Sequence, residues 1–284
     1  MGLRRFACLI LPFTLCFVGC TTPDAVSKFC GSAAATLTSA APVFTDMEQS
    51  CLREVNSRQE FGTFMLPVQS DPGCNAIATQ ATGAAAATKI LSDYFTALNS
   101  VASFGTAKAG TDAQNLLQKT SAAFGANSGA QNALGSIAQF LVSAATSGVQ
   151  ARDLEKDLTK ANSDISTVVD ALIAIVKTNY IGQGQGQGLE SEEQKLATRY
   201  KEFAKGASPE VKLMLDDRWH ADEQMLTARR ASAQSLVTAL QALQKGFADL
   251  AKTAHNLKAK EVQGLLDPYV TQLQSLIPQI QKAF

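Results

Sequence analysis

The chain holds two histidines, His220 and His255. The first sits in the stretch whose residue types come nearest to a ligand set, Asp216-Asp217-Arg218-Trp219-His220-Ala221-Asp222-Glu223. On a helix, residues three and four apart share a face, so Asp216, His220 and Glu223 would stand together. One imidazole and two carboxylates could ligate a divalent cation. The second histidine of a zinc-protease helix is missing, however, and no other Cys/His cluster can complete a site. The expectation is therefore no metal and a solvated, mixed-charge face. Trp219 is expected to turn into the core. The stretch as a whole, with Trp219, His220, Asp216 and Glu223, is kept as a candidate partner surface.

Other chemistries find less support. There is no Gly-x-Ser-x-Gly elbow and no catalytic-cysteine motif. Adjacent carboxylates such as Glu192 and Glu193 are expected to face water rather than converge in a cleft, as acid–base work requires. Gly182 to Gly188 alternates Gly and Gln. Helix rather than strand precedes it and no Lys-Ser/Thr follows, so it reads as a flexible polar loop and not a phosphate cradle. Neither an enzyme nor a cofactor is expected.

The N-terminus carries the most specific pattern. Arg4 and Arg5 precede an apolar run from Phe6 to Val18, broken by Pro12 and Thr14, which closes on Phe17-Val18-Gly19-Cys20. At about 13 residues the run is too short for a stable membrane span and fits a secretory signal. The closing residues resemble the lipobox of bacterial lipoproteins, with Gly19 and Cys20 matching and Phe17 standing where Leu is usual. The resemblance covers these twenty residues and does not extend to the domain beyond. It implies cleavage before Cys20, a signal peptide of residues 1–19, acylation (palmitate among the chains) on Cys20, and a mature chain of residues 20–284 anchored to a membrane by lipid. Thr21, where the family uses Asp for inner-membrane retention, points to the outer membrane, facing the periplasm; the inner membrane and the cell surface are the alternatives.

Six cysteines are present. Cys8 and Cys16 leave with the signal and Cys20 is lipidated, so Cys30, Cys51 and Cys74 remain in an oxidising compartment. Cys30 and Cys51 fall on one apolar helical seam, roughly 30 Å apart if the helix is continuous. A disulfide needs Cα atoms within about 7 Å. Cys74 must then be one partner, and Cys51–Cys74 is favoured because Cys51 ends one helix and Cys74 begins the next. The role of Cys30 stays open.

Less Arg4 and Arg5, the 25 Lys and Arg stand against 25 Asp and Glu, so no nucleic-acid partner is expected. Charge is uneven: from Thr120 to Ala151 there is none. Scattered Ser, Gln, Asn and Gly argue against membrane insertion of this run and for a central helix packed on several sides.

Apolar residues recur at steps of three and four nearly everywhere. Seams run through Val26, Cys30, Ala33 and Leu37; through Ala81, Ala84, Leu91 and Phe95; and through Leu158, Ile165, Val168 and Leu172. Pro42 should kink or split the first helix. Thr111 should cap a short helix, Ser191-Glu192-Glu193-Gln194 a later one. Pro209 should open a helix of almost fifty residues, and Asp267-Pro268 the last one. Small residues on Asn75–Phe104 should allow close helix approach.

The fold class is all-α, an extended antiparallel bundle of long helices with short Gly-bearing turns. The function expected is a lipid-anchored periplasmic binding or scaffolding module without catalytic activity and with an envelope protein partner. The alternatives are a carrier of an apolar ligand in a helical-bundle cavity and an immunity-type inhibitor of a toxin.

Overall fold

The computed structural model describes residues 22–57, 67–104, 112–125, 127–147, 154–183, 187–254 and 259–284, and among these described residues there are nine α-helices. They are α1 (Thr22–Ser39), α2 (Ala41–Ser57), α3 (Asn75–Phe104), α4 (Ala113–Phe124), α5 (Ser128–Ser147), α6 (Leu154–Ile175), α7 (Gly188–Ala204), α8 (Pro209–Thr253) and α9 (Ala259–Gln281). There is no strand among the described residues; the fold is all-α. The signal segment, Cys20, Thr111, the centre of the Gly/Gln loop and His255 lie outside the described residues.

The seams read from sequence are the buried faces. Val26, Cys30, Ala33 and Leu37 of α1, Ala84, Leu91, Phe95 and Leu98 of α3, and Ile165, Val168 and Leu172 of α6 are all buried in one continuous core. Phe29, Tyr94, Phe95, Phe140 and Phe247 meet edge to face within it, at centroid distances of 5.0 to 6.2 Å. Such pairs add to the burial of their area.

Polar contacts give the directions. Ser27 meets Asn99 and Thr38 meets Ser92, so α1 and α3 run antiparallel. Tyr269 bonds Asp249 and Ser232 bonds the carbonyl of Gln279, so α8 and α9 do the same. By contrast α2 and α7 run parallel, with Arg53 at Glu192 and Asn56 at Arg199.

Two glycines set close approaches. A Cβ on Gly83 of α3 would lie 2.5 Å from that of Ala123 and 2.9 Å from the carbonyl oxygen of Lys119, both on α4. A Cβ on Gly246 would lie 2.5 Å from the ring of Phe29, so α8 and α1 touch through it.

Pro42 splits the first helical stretch, α1 ending at Ser39 and α2 beginning at Ala41. Cys51 and Cys74 form a disulfide with Cα atoms 5.8 Å apart, and Cys30 is a buried free thiol. Pro209 opens α8, with the Ser208 hydroxyl accepting from Val211 N–H, and α8 runs 45 residues, about 68 Å.

Other expectations are corrected. Asp267-Pro268 does not start the last helix: α9 begins at Ala259, because Val262 and Leu266 bury into the core. Pro268 removes one hydrogen bond, to the carbonyl of Gly264, an exposed residue where water can take the place of the donor. Likewise Ser191 is not an N-cap. The helix starts a turn earlier, at Gly188, with Leu189, Ser191 and Glu192 all buried.

The ends of the Gly/Gln loop are packed. Val176–Ile181 continue α6 as a π-helix, closed by the Gly182 N–H bonding the carbonyl of Lys177, and Gly182 takes the left-handed cap conformation at φ 86°. Gly188 has φ 61°, and a Cβ there would lie 2.2 Å from the carbonyl oxygen of Tyr180.

Helix α5, within the uncharged run, is not packed on several sides. Ala130, Leu134, Ile137 and Leu141 are buried, whereas Asn132, Ser136, Gln139 and Ser143 are exposed, leaving a neutral polar face to solvent.

Candidate functional site

The C-terminal part of α7 and the N-terminal part of α8 form a two-helix arm. No residue from Glu193 to His220 is buried, whereas Leu189, Ser191 and Glu192 before this stretch and Asp222, Leu226, Ser232 and Ala233 after it are. The helices contact each other through Tyr200 and Trp219, rings 5.7 Å apart and edge to face. The Tyr200 hydroxyl donates to Asp222 Oδ2 at 2.7 Å, and Arg218 lies 3.4 Å from the same carboxylate. Burial, then the bond to Asp222, raises the Tyr200 pKa.

At the tip, Phe203, Val211, Leu213 and Met214 are exposed, Leu213 by 64% and Met214 by 71%. The Arg199 guanidinium lies over the Phe203 ring at 5.6 Å. Two open grooves of about 390 and 280 Å³ share Tyr200 and Leu215 in their walls.

The candidate surface residues are all on this arm. Trp219 is half-buried against Tyr200 rather than inserted in the core, because α8 has no bundle neighbour at this level to receive it. His220 Nδ1 lies 3.5 Å from Glu223, and Asp216 borders the smaller groove beside Trp219. No group of metal-binding geometry occurs among the described residues.

Where the arm joins the bundle, a charged cluster is buried. Asp46, Ser50 and Arg53 come from α2, Tyr180 from the π-helix, Glu192 from α7 and Arg229 from α8. Arg53 Nε donates to Glu192 Oε1 at 2.6 Å, and its Nη1 and Nη2 to Asp46 at 2.9 and 3.0 Å. Ser50 donates to Glu192 Oε2 at 2.6 Å and Tyr180 to Asp46 Oδ2 at 2.6 Å. Arg229 completes the charge balance from 3.4 Å (Asp46) and 3.9 Å (Glu192); its Nε and Nη1 are buried without a hydrogen bond, so its contribution is Coulombic. Two guanidinium groups face two carboxylates, the balance that buried charge requires. The bonds to Glu192 and Asp46 hold Arg53 protonated against burial, and burial, reinforced by Asp46, pushes the Tyr180 pKa up. Arg230 and Glu193 form a second pair at 2.7 Å toward solvent.

The expectation that Glu192 faces water is thus overturned. Only Glu193 remains partly exposed. Ser191-Glu192 lies on the face α7 turns to α2, a face the surrounding polar sequence does not mark as buried. The readable signal was weak: Asp46, Ser50 and Arg53 recur at helical spacing on α2 beside the seam.

The cluster's two carboxylates are engaged by guanidinium, hydroxyl and phenol groups of the chain itself. Its chemistry is positional: it ties α2, the π-helix, α7 and α8 together and sets the direction in which the arm leaves the bundle. No family model, curated protein or solved structure matches this chain.

Proposed function

We propose that this is a lipid-anchored periplasmic protein, held at the outer membrane through Cys20, that acts without catalysis as a binding or scaffolding module. Its arm engages an envelope protein. The observation that carries this reading is the placement of the exposed apolar tip relative to the start of α1. Gly246 of α8 abuts Phe29 of α1, and the tip at Pro209 is 37 residues, about 55 Å, further along the same helix. The start of α1, which a lipid on Cys20 would precede, thus lies away from Leu213 and Met214. Adjacent exposed apolar residues favour a partner surface, and Met adapts to varied partners. The acidic, Trp-bearing flank at Asp216, Trp219, His220 and Glu223 would form its polar border.

Two substitutions test the two halves. Cys20→Ser should release the protein from the membrane fraction; retention would refute the lipid anchor. With a photo-crosslinking residue at position 213 in cells, a discrete adduct to an envelope protein is expected, and the same group at Lys28, in α1, should not yield it. Adducts identical from both positions, or none from 213, would refute the arm as the binding surface.

A further inference from the structure

Away from the arm, an open cleft of about 350 Å³ lies between α5 and α6, with α3 beneath it. Tyr94 of α3 forms part of its floor, only 1% exposed, and the Tyr94 hydroxyl has no hydrogen-bond partner. Buried phenols in folded proteins are normally paired, so this one calls for an explanation. Phe140 packs on Tyr94 at 5.0 Å and is itself only half-buried, so aromatic surface reaches the opening. The α6 wall presents Asp157, Lys160 and Asp164 on one face, the carboxylates two turns and about 10 Å apart. The α5 wall is neutral, with Ser136, Gln139 and Ser143. Burial raises the pKa of the Asp164 carboxyl, and Ser136 and Lys160 beside it oppose the shift.

We propose that this cleft binds a polyhydroxylated ligand, a sugar unit or short glycan. A wholly apolar ligand would strip water from the carboxylates and amide of the walls without replacing its hydrogen bonds. An anion would meet Asp157 and Asp164, and a simple organic cation would meet Lys160. A neutral polyol complements both walls: its hydroxyls donate to the carboxylates and accept from Gln139 and Lys160, while the apolar face of the ring lies on Phe140. A ligand hydroxyl entering beside Phe140 would also supply the acceptor that the Tyr94 phenol lacks.

The test is a titration of the full-length protein, followed by NMR, with glucose, N-acetylglucosamine, maltose and chitobiose. Saturable binding of at least one is expected at about millimolar affinity or better, weakened about tenfold or more in Asp157→Asn and Tyr94→Phe. Lys282→Gln, exposed just beyond α9, should leave it unchanged. Gln139→Ala, an exposed change, gives the same readout should either buried-side variant fail to fold. Binding of none of the four sugars, or binding that survives all the cleft substitutions, would overturn the proposal. So would saturable binding of butylammonium or of hexanol in the cleft in place of the sugars.

Discussion

Arg53 on α2 and Glu192 on α7 share two hydrogen bonds, Nε to Oε1 at 2.6 Å and Nη2 to Oε2 at 3.1 Å, across 139 positions of sequence. Glu192 is wholly buried, and this paired contact, together with Asp46, Ser50 and Arg229, joins the arm to the bundle. Removing one member leaves an uncompensated charge in the interior. Glu192→Gln should therefore destabilise the fold by about 3–5 kcal/mol. Glu193→Gln, whose pair with Arg230 is partly solvated, should cost about 1 kcal/mol or less. Urea unfolding of both variants measures the contrast, and equal midpoints would mean the cluster is hydrated.

The disulfide restrains the segment between Cys51 and Cys74. Cys74→Ser should lower stability by about 3 kcal/mol, on the loop-closure estimate. Non-reducing peptide mapping of the unaltered chain should find Cys51 joined to Cys74. Cys30 should react with an alkylating reagent only after denaturation, since burial pushes its pKa up and seals the thiol. Rapid labelling of the native protein would contradict the packing of α1.

Alkaline pH should unfold the protein more readily than neutral pH. Burial raises the pKa of Cys30, Tyr94 and Tyr180 above the ordinary 9.0 for Cys and 10.0 for Tyr. Above those values the unfolded chain has lost protons that the folded chain keeps, so stability falls as pH rises. Below about pH 8 these groups are protonated in both states and contribute no slope. Denaturant midpoints at about pH 8 and pH 10.5 should differ, the second being lower. Coincident midpoints would show that the three groups ionise freely in the folded chain.

Gly83→Ala should destabilise by about 1–3 kcal/mol despite the better helix propensity of Ala, because the added methyl meets Ala123 and a carbonyl of α4. Gly206→Ala, where no atom stands near the new methyl, serves as the comparison and should change stability by less than about 1 kcal/mol. Thermal unfolding of the pair distinguishes steric exclusion from propensity.

Leu213→Ser with Met214→Ser should leave the unfolding midpoint within about 0.5 kcal/mol of the parent, since both side chains are exposed. The same double change should abolish co-purification of the envelope partner. A large loss of stability would instead place these residues in a packed interface of the folded chain.

Helix identity and the buried faces were legible because a helix that buries one side must repeat apolar residues at its own period, as Val26, Cys30, Ala33 and Leu37 do. The disulfide was legible too, since Cys51 lies near the end of one helix and Cys74 at the start of the next. The helix starts at Gly188 and Ala259 were not. Each was decided by burying Leu189 or Val262 and Leu266 against distant helices, which outweighed the local signals at Ser191 and Pro268. Trp219 misled for a related reason: periodicity marks the face of a helix but not whether a neighbour exists to cover it. The sequence by itself thus determined an all-α chain, its buried stripes and its cystine. The pairing of Glu192 with Arg53 and the arm that escapes burial were decided only in the tertiary structure, because charge balance and cover depend on residues brought together from far along the chain.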